Sequence, residues 1–482
     1  MFSETSYNDS RRKHFLMDEE IERNEQHFKN MTETPVRRLV LRLAVPTVIS
    51  MLISSIYSIA DTLFVSQLGT SAMGAVGICF SVMAIIQAIG FSIGMGAGTV
   101  ASHLLGGKRK DDADTYASTG FFFGLVLSIL LGVIGLAFLT PILKLLGATE
   151  TILPYAKPYA SIILLSSPLM CQSFILTNYF RSVGKAKYGL LGLATGMILN
   201  IALDPVFILV LDLGTFGAGI ATLIGQVVAF SILFGLFLAG RSTLELSFNK
   251  ISLRPRVYLH IMYTGLPTMA RQGLSSSSTV SLNVMAAMFG DPVVAAVSIA
   301  ARVMFLLYSF MLGLGHGYQP VASFNYGAKK YERVIDATRF TVNFGSLLMV
   351  IFSIILLIKA PNVIRIFSST DSMVVRTGAM AIRLQCLVFS TLGFIIVTDV
   401  GLQSTASPGK ATILAICRQG VFFIPIVLIL PRILGIWGLV LAQPLADLCT
   451  VAIAAYYYNG FLKEMKGHLI AEKANIKHDG IV

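Results

Sequence analysis

The segment SVMAIIQAIGFSIGMGAGTVASHLLGGK, residues 81–108, returns as RVMFLLYSFMLGLGHGYQPVASFNYGAK, residues 302–329. The offset is 221 (302 − 81) and needs no gap. Val82 and Met83 fall on Val303 and Met304, and Gly94 and Gly96 on Gly315 and Gly317. Val100, Ala101 and Ser102 fall on Val321, Ala322 and Ser323, and Gly106 and Lys108 on Gly327 and Lys329. The same offset carries Pro46 and Thr47 to Pro267 and Thr268, and Gly217 and Ala221 to Gly438 and Ala442. The chain is built from two copies of one unit. Each copy is a series of apolar runs of about 20 residues, the length that crosses a bilayer as a helix.

Six such runs precede the charged stretch Arg241–Arg256: 39–66, 72–104, 117–139, 156–180, 188–211 and 216–239. Six follow it: 259–288, 293–324, 338–359, 378–405, 411–431 and 436–458. An even number of spans per copy inserts both copies with one orientation, so the repeats are parallel and related by an axis along the membrane normal. The expected fold is an all-α polytopic membrane protein with twelve transmembrane helices in two six-helix lobes. The expected organisation is a polar cytoplasmic extension over 1–35 and a first lobe over 36–240. A cytoplasmic linker over 241–258, a second lobe over 259–460 and a cytoplasmic tail over 461–482 follow.

Composition agrees with that class. The 482 residues are 55% hydrophobic and only 13% charged, with a mean hydropathy of +0.75; soluble domains are about a quarter charged. The net charge of +12 does not form a basic stripe interleaved with aromatics, so nucleic-acid binding is not expected. Instead Lys108, Arg109 and Lys110, then Arg181, Lys185 and Lys187, then Lys329, Lys330 and Arg333, then Lys410 follow the even-numbered spans. Basic loops stay in the cytoplasm, so both termini are expected there, in a cell (inner) membrane. The connection with Lys359, Arg365 and Arg376 breaks the pattern. The first 34 residues lack the apolar core of a signal peptide and read as a mobile extension with room for a short surface helix. Five scattered cysteines in or beside apolar runs read as small packing residues.

The residues with chemistry to offer lie where hydrocarbon is expected. ILNIALDPVFI, Ile198–Ile208, places Asn200 and Asp204 one turn apart on a helix face and follows the acid with Pro205. A charge at bilayer depth costs about 2.5–3.5 kcal/mol on insertion scales. Asp61, late on the first span, and Thr222, early on the sixth, fall at a similar depth. Two carboxylates in a low dielectric stay charged only around a cation; otherwise one holds a proton. Pro205 frees a carbonyl of the preceding turn for another partner. Asp61, Asn200, Asp204 and Thr222 thus form a candidate Na+ or proton site. Its bland alternative is an acid satisfied at a helix end. The offset carries Asp61 to Leu282, so this chemistry is expected in the first lobe alone. Arg302 and Asp399 are candidates for a pair across the inner cavity, and Gln172, Asn178 and Arg302 for cavity-lining residues that meet substrate. The 31 Phe and 19 Met suit a broad apolar cavity, although core and lipid-facing packing accounts for most of them. No GxxxxGK[ST] motif is present, so a carrier is expected, not an ATP-driven pump or an enzyme.

Several stretches together resemble one family. AVPTVISMLISSIYSIADTLFVSQLG in span one, HLLGGKRKDDAD after span two, FRSVGKAKYG after span four, NIALDP in span five and FGAGIATLIGQ in span six are similar to the MATE (multidrug and toxic compound extrusion) transporters. GLPT, NYGAKK and WGLVLAQPLAD in the second half add to the likeness. The likeness covers about residues 36–460 and is closest to the prokaryotic DinF-like and MepA-like branches. It implies a V-shaped monomeric carrier that exchanges Na+ or H+ for cationic, amphipathic drugs and confers resistance. It also implies coupling through Asp61, Asn200, Asp204 and Thr222, with Tyr57 beside them. A flippase for a lipid-linked sugar precursor is the alternative within the same superfamily; a receptor or channel is the alternative outside it. The long charged N-terminus departs from the family pattern.

Overall fold

The computed structural model describes residues 22–367, 371–405 and 407–479, leaving aside the side chains of 58–63, 66, 70 and 473–479. Every span expected from the sequence is helical. A helix over 22–33, α1, precedes α2 (Val36–Ser66), α3 (Thr70–Gly106), α4 (Lys110–Ala137), the short α5 (Leu139–Leu145) and α6 (Leu153–Ser182). α7 (Ala186–Pro205) runs on through a π-helical segment, Val206–Val210, and α8 (Gly214–Leu238) completes the first lobe. The second lobe holds α9 (Pro255–Ala287), α10 (Asp291–Gly327), α11 (Tyr331–Phe367) and the bent pair α12 (Ser372–Val388) and α13 (Ser390–Ser404). It ends with α14 (Pro408–Ile416), a π-helical segment Cys417–Phe423, α15 (Ile424–Leu434) and α16 (Ile436–Asp479).

Among the described residues ten helices are long and apolar enough to span a bilayer, and the bent pair makes an eleventh. α9 completes the twelve-helix plan by position. Its LSSSSTVS stretch lowers its hydropathy, but at 33 residues it is about 50 Å long at 1.5 Å per residue. Each lobe has one π-helical segment near a proline: Val206–Val210 directly follows Pro205, and Cys417–Phe423 ends two residues before Pro425. Proline removes the donor that would continue the ladder, and the chain widens by one residue there. The 58° bend in the tenth span contains neither Pro nor Gly. There the Thr391 hydroxyl donates to the Val388 carbonyl at 2.5 Å, taking an acceptor from the helix.

The lobes meet along α2 with α10 and α3 with α9. The contacts repeat under the 221 offset. A Cβ on Gly317 would strike the backbone of Ala44, and one on Gly96 would strike Ile261 and Gly265. A Cβ on Gly106 would strike the Phe324 carbonyl, and one on Gly327 the His103 carbonyl. Gln319 donates to Thr99 Oγ1 at 2.6 Å and Ser323 to the Thr99 carbonyl at 3.1 Å. Ser55 meets Ser309 at 3.1 Å midway along the helices. All these contacts lie between the middle of the helices and the end that carries Lys108 and Lys329, here called the basic end. The seam is shut there.

Three segments outside the spans are packed against the lobes. In the C-terminal segment from 461, α16 continues as far as Asp479, with Phe461 and Met465 buried against the second lobe. The linker is tied down, because buried Asp114 of α4 accepts from the Glu245 amide (2.8 Å) and from Lys250 (2.7 Å), and Thr119 accepts from the Ser252 amide (3.0 Å). The N-terminal segment 22–33 is a docked helix. Met31 and Thr32 are buried. The last carbonyls of α1 accept from second-lobe side chains: Asn325 bonds the Met31 oxygen at 3.1 Å and Arg333 the Thr34 oxygen at 2.6 Å, satisfying a helix end that has no partners of its own. His27 and Phe28 pack on Phe324. On the first-lobe side the Lys108 ammonium sits 5.0 Å over Phe28, and Met31 fills the space beside Gly184. α1 therefore straddles the shut seam.

Burial, together with the charge of Lys185, holds the His27 imidazole down to about 4 from 6.5. Docking thus requires the neutral ring. Well above pH 6.5 docked and undocked forms both carry the neutral ring and the His27 contribution to docking is fully present; as pH falls from 6.5 towards 4 the undocked ring takes up a proton and docking weakens. A spin label at exposed Lys29 should gain mobility across that window, and His27→Gln should remove the pH dependence.

Candidate cation-coupling site

α7 and α8 approach until their backbones touch. A Cβ on Gly196 would lie 2.5 Å from the Gly225 carbonyl, and one on Gly225 would lie 2.7 Å from that of Gly196. No other residue allows this spacing. One turn beyond the crossing, Asn200 Nδ2 donates to Thr222 Oγ1 at 3.2 Å, and the Thr222 hydroxyl donates to the Ala218 carbonyl at 3.0 Å. Both side chains are buried, and Asp204, one turn further along α7, is wholly enclosed. α2 packs along α7. It brings Tyr57 to a small cavity of about 10 Å³ that Asn200, Thr222 and Gln226 also line. That is room for one water or one bare monovalent ion. The side chain of Asp61 lies outside the described residues.

Two acceptors at this cavity stand out. Asn200 Oδ1 and Gln226 Oε1 are buried and meet no donor among the described residues. A buried carbonyl oxygen left without a donor costs about 1–3 kcal/mol, and a cation between the two would satisfy both. Gln226 is absent from the candidates drawn from the sequence, although it lies one turn from Thr222 on the same helix face. The glycine pair at 196 and 225, each facing a partner helix, is the signal that would have located the crossing.

The substrate candidates lie elsewhere. Gln172 is buried, its amide donating to the Phe121 carbonyl at 2.9 Å. Asn178 is buried too, donating to the Phe174 carbonyl at 2.7 Å and accepting from Arg181. Gln172 ties α6 to α4, while the Asn178 bonds stay within α6. Arg302 is exposed on α10. Asp399 does not pair with it, because Arg271 on α9 is nearer and holds the carboxylate at 2.5 Å. A second buried pair joins Arg418 Nε to Asp447 at 2.9 Å.

The fold has close counterparts. A MATE in complex with MaL6 superposes with a TM-score of 0.86 at 23% identity, covering 91% of this chain and 99% of that one. An outward-facing multidrug resistance MATE family transporter of the MOP superfamily gives 0.84 at 24% identity, covering 91% and 98%. Among curated proteins, the multidrug export protein MepA of Staphylococcus haemolyticus (strain JCSC1435) is 26% identical over 448 residues, 92% of this chain and 97% of its own. MepA of Staphylococcus aureus (strain MRSA252) is 27% identical over 427 residues, 87% and 94%. The MatE family model matches residues 46–206 and again 267–429, once in each lobe. This polytopic membrane protein, with its two parallel lobes and its polar crossing of α7 and α8, belongs to the MatE family of transporters, on the MepA-like side.

Proposed function

We propose that the chain is a secondary active antiporter that exports amphipathic and cationic drugs in exchange for Na+ by alternating access, from a cell (inner) membrane with its basic end in the cytoplasm. The relatives named for multidrug export support the cargo class. The observation that carries the coupling is the buried oxygen set at the α7–α8 crossing: Asn200 Oδ1 and Gln226 Oε1 with the Thr222 hydroxyl, beside enclosed Asp204. These residues would hold the ion, and its charge would offset that of the carboxylate. A proton needs only an acid; orphaned neutral carbonyls favour a metal cation. Binding and release of that charge would bias the lobe between two packings, which is how one gradient drives another.

Purified protein in liposomes, at fixed pH, should move ethidium against its concentration only when an opposing Na+ gradient is imposed. Equal rates with and without sodium, with a pH gradient still driving transport, would transfer the coupling to protons. Ethidium movement that never exceeds equilibration would overturn the antiport reading altogether.

A further inference from the structure

We propose that the second lobe carries a seat for one class of cargo at the position pseudo-symmetric to the coupling site, and that this class is an aromatic body bearing a carbonyl or carboxylate group. This deepens the carrier reading and rests on it.

A cavity of about 200 Å³ lies among α9, α10, α12, the 417–423 segment and α16. Three of its residues are the repeat counterparts of coupling-site positions at the 221 offset: Ser278 of Tyr57, Leu282 of Asp61 and Gln443 of Thr222. The duplicated architecture opens the same space in both lobes. In the first lobe it shrinks to the volume of an ion; in the second the acid is replaced by leucine and the space is twenty times larger (200 against 10 Å³). A cavity of about 150 Å³ lined by apolar groups takes a benzene ring, so this one seats a ring and its substituent. Its α9 and α10 walls belong to the halves of those helices away from the shut seam, so it faces the part of the molecule where the lobes are not joined by the contacts described above.

The polar groups set the chemistry. Asp447 is saturated: its Oδ1 accepts from Arg418 Nε (2.9 Å) and Gln443 Nε2 (2.9 Å), and its Oδ2 from Gln385 Nε2 (2.7 Å). No lone carboxylate is left in the lining to attract a bare cation. Arg418 spends only Nε on Asp447, and its guanidinium lies 5.2 Å over the Tyr308 ring. Its two terminal amino groups make no protein hydrogen bond among the described residues. A planar fork of N–H donors beside an aromatic face matches a carboxylate or carbonyl on a flat ring. The division of labour is then spatial: the first lobe handles the ion, and the guanidinium edge of Arg418 that Asp447 leaves open holds cargo that carries an acceptor group; a plain cation such as ethidium would not use this fork.

The test uses the purified full-length protein, with a fluorescent quinolone carboxylic acid and its decarboxylated analogue as probes. Wild type should bind the acid at least tenfold tighter than the analogue. Ala301→Phe, which fills the cavity from α10, and Arg418→Lys, which keeps the charge opposite Asp447 but removes the fork, should each weaken the acid tenfold or more. Only Arg418→Lys should erase the preference between the probes. Unfolding temperature identifies a variant that fails to fold, and the other variant then decides. Equal affinity for the two probes in wild type, or undiminished binding in both folded variants, overturns the seat. If binding follows the expected pattern but no gradient drives transport in wild type, the carrier reading fails while the seat stands.

Discussion

Asp204→Asn should abolish sodium-driven accumulation of ethidium in liposomes and leave a folded protein. The substitution keeps the shape and removes the charge of Asp204, which is wholly enclosed beside the α7–α8 crossing. A cation and a carboxylate 4 Å apart attract by about 4 kcal/mol at an effective dielectric of 20, so cation affinity should fall by about a thousandfold. The ratio of transport with the gradient to transport without it should collapse to one. A second readout separates coupling from misfolding. A ligand that binds the native state raises its stability by RT ln(1 + [L]/Kd), so sodium should raise the unfolding temperature of wild type and leave that of Asp204→Asn unmoved. Gln226→Leu should give a weaker version of the same defect, because it removes one neutral oxygen and no charge. If sodium stabilises both variants as it stabilises wild type, the ion binds elsewhere.

The architecture is legible from the sequence because a bilayer leaves few choices. Backbone groups in hydrocarbon must bond within their own helix, so apolar length marks every span but α9, and the 221 offset supplies α9 and orders the spans into lobes. Asn200 and Thr222 are legible for a similar reason: polar groups at that depth must find one another. What the sequence conceals is tertiary competition. Arg271 wins Asp399 from Arg302 only because α9 packs beside the tenth span. The bend near Phe389 depends on one threonine hydroxyl turning back on its own helix. The segment 22–33 has a polar, charged composition suited to solvent. It docks because Asn325 and Arg333, some 300 residues away, donate hydrogen bonds to the carbonyls at its end. Gln226 escaped because its role depends on a glycine crossing, which fixes distance and not residue type.

Alanine at both Gly106 and Gly327 should spring the seam open. Each glycine faces a backbone carbonyl of the opposite lobe, Phe324 for Gly106 and His103 for Gly327. A carbonyl in a helix cannot rotate aside as a flexible side chain can. The added methyl therefore pushes α3 and α10 apart, and overpacking of this kind costs about 1–3 kcal/mol per site. At about 2 kcal/mol each, the two together shift the ratio of shut to open states by nearly a thousandfold. Spin labels at exposed Arg109 and Lys330, one on each lobe at the basic end, should report a longer distance in the double variant. α1, which bridges the lobes through Met31, Phe28 and Arg333, should loosen at the same time. Gly77→Ala is the control, because nothing lies within 4 Å of the added atom, and it should leave the distance unchanged. Transport needs both states, so a protein held open at the basic end should lose ethidium export even with its cation site intact. Sodium should still raise its unfolding temperature, which separates a jammed seam from a broken coupling site. If the label distance in the double variant equals that of Gly77→Ala, the glycines do not govern closure, and the gate lies elsewhere on α2 and α9.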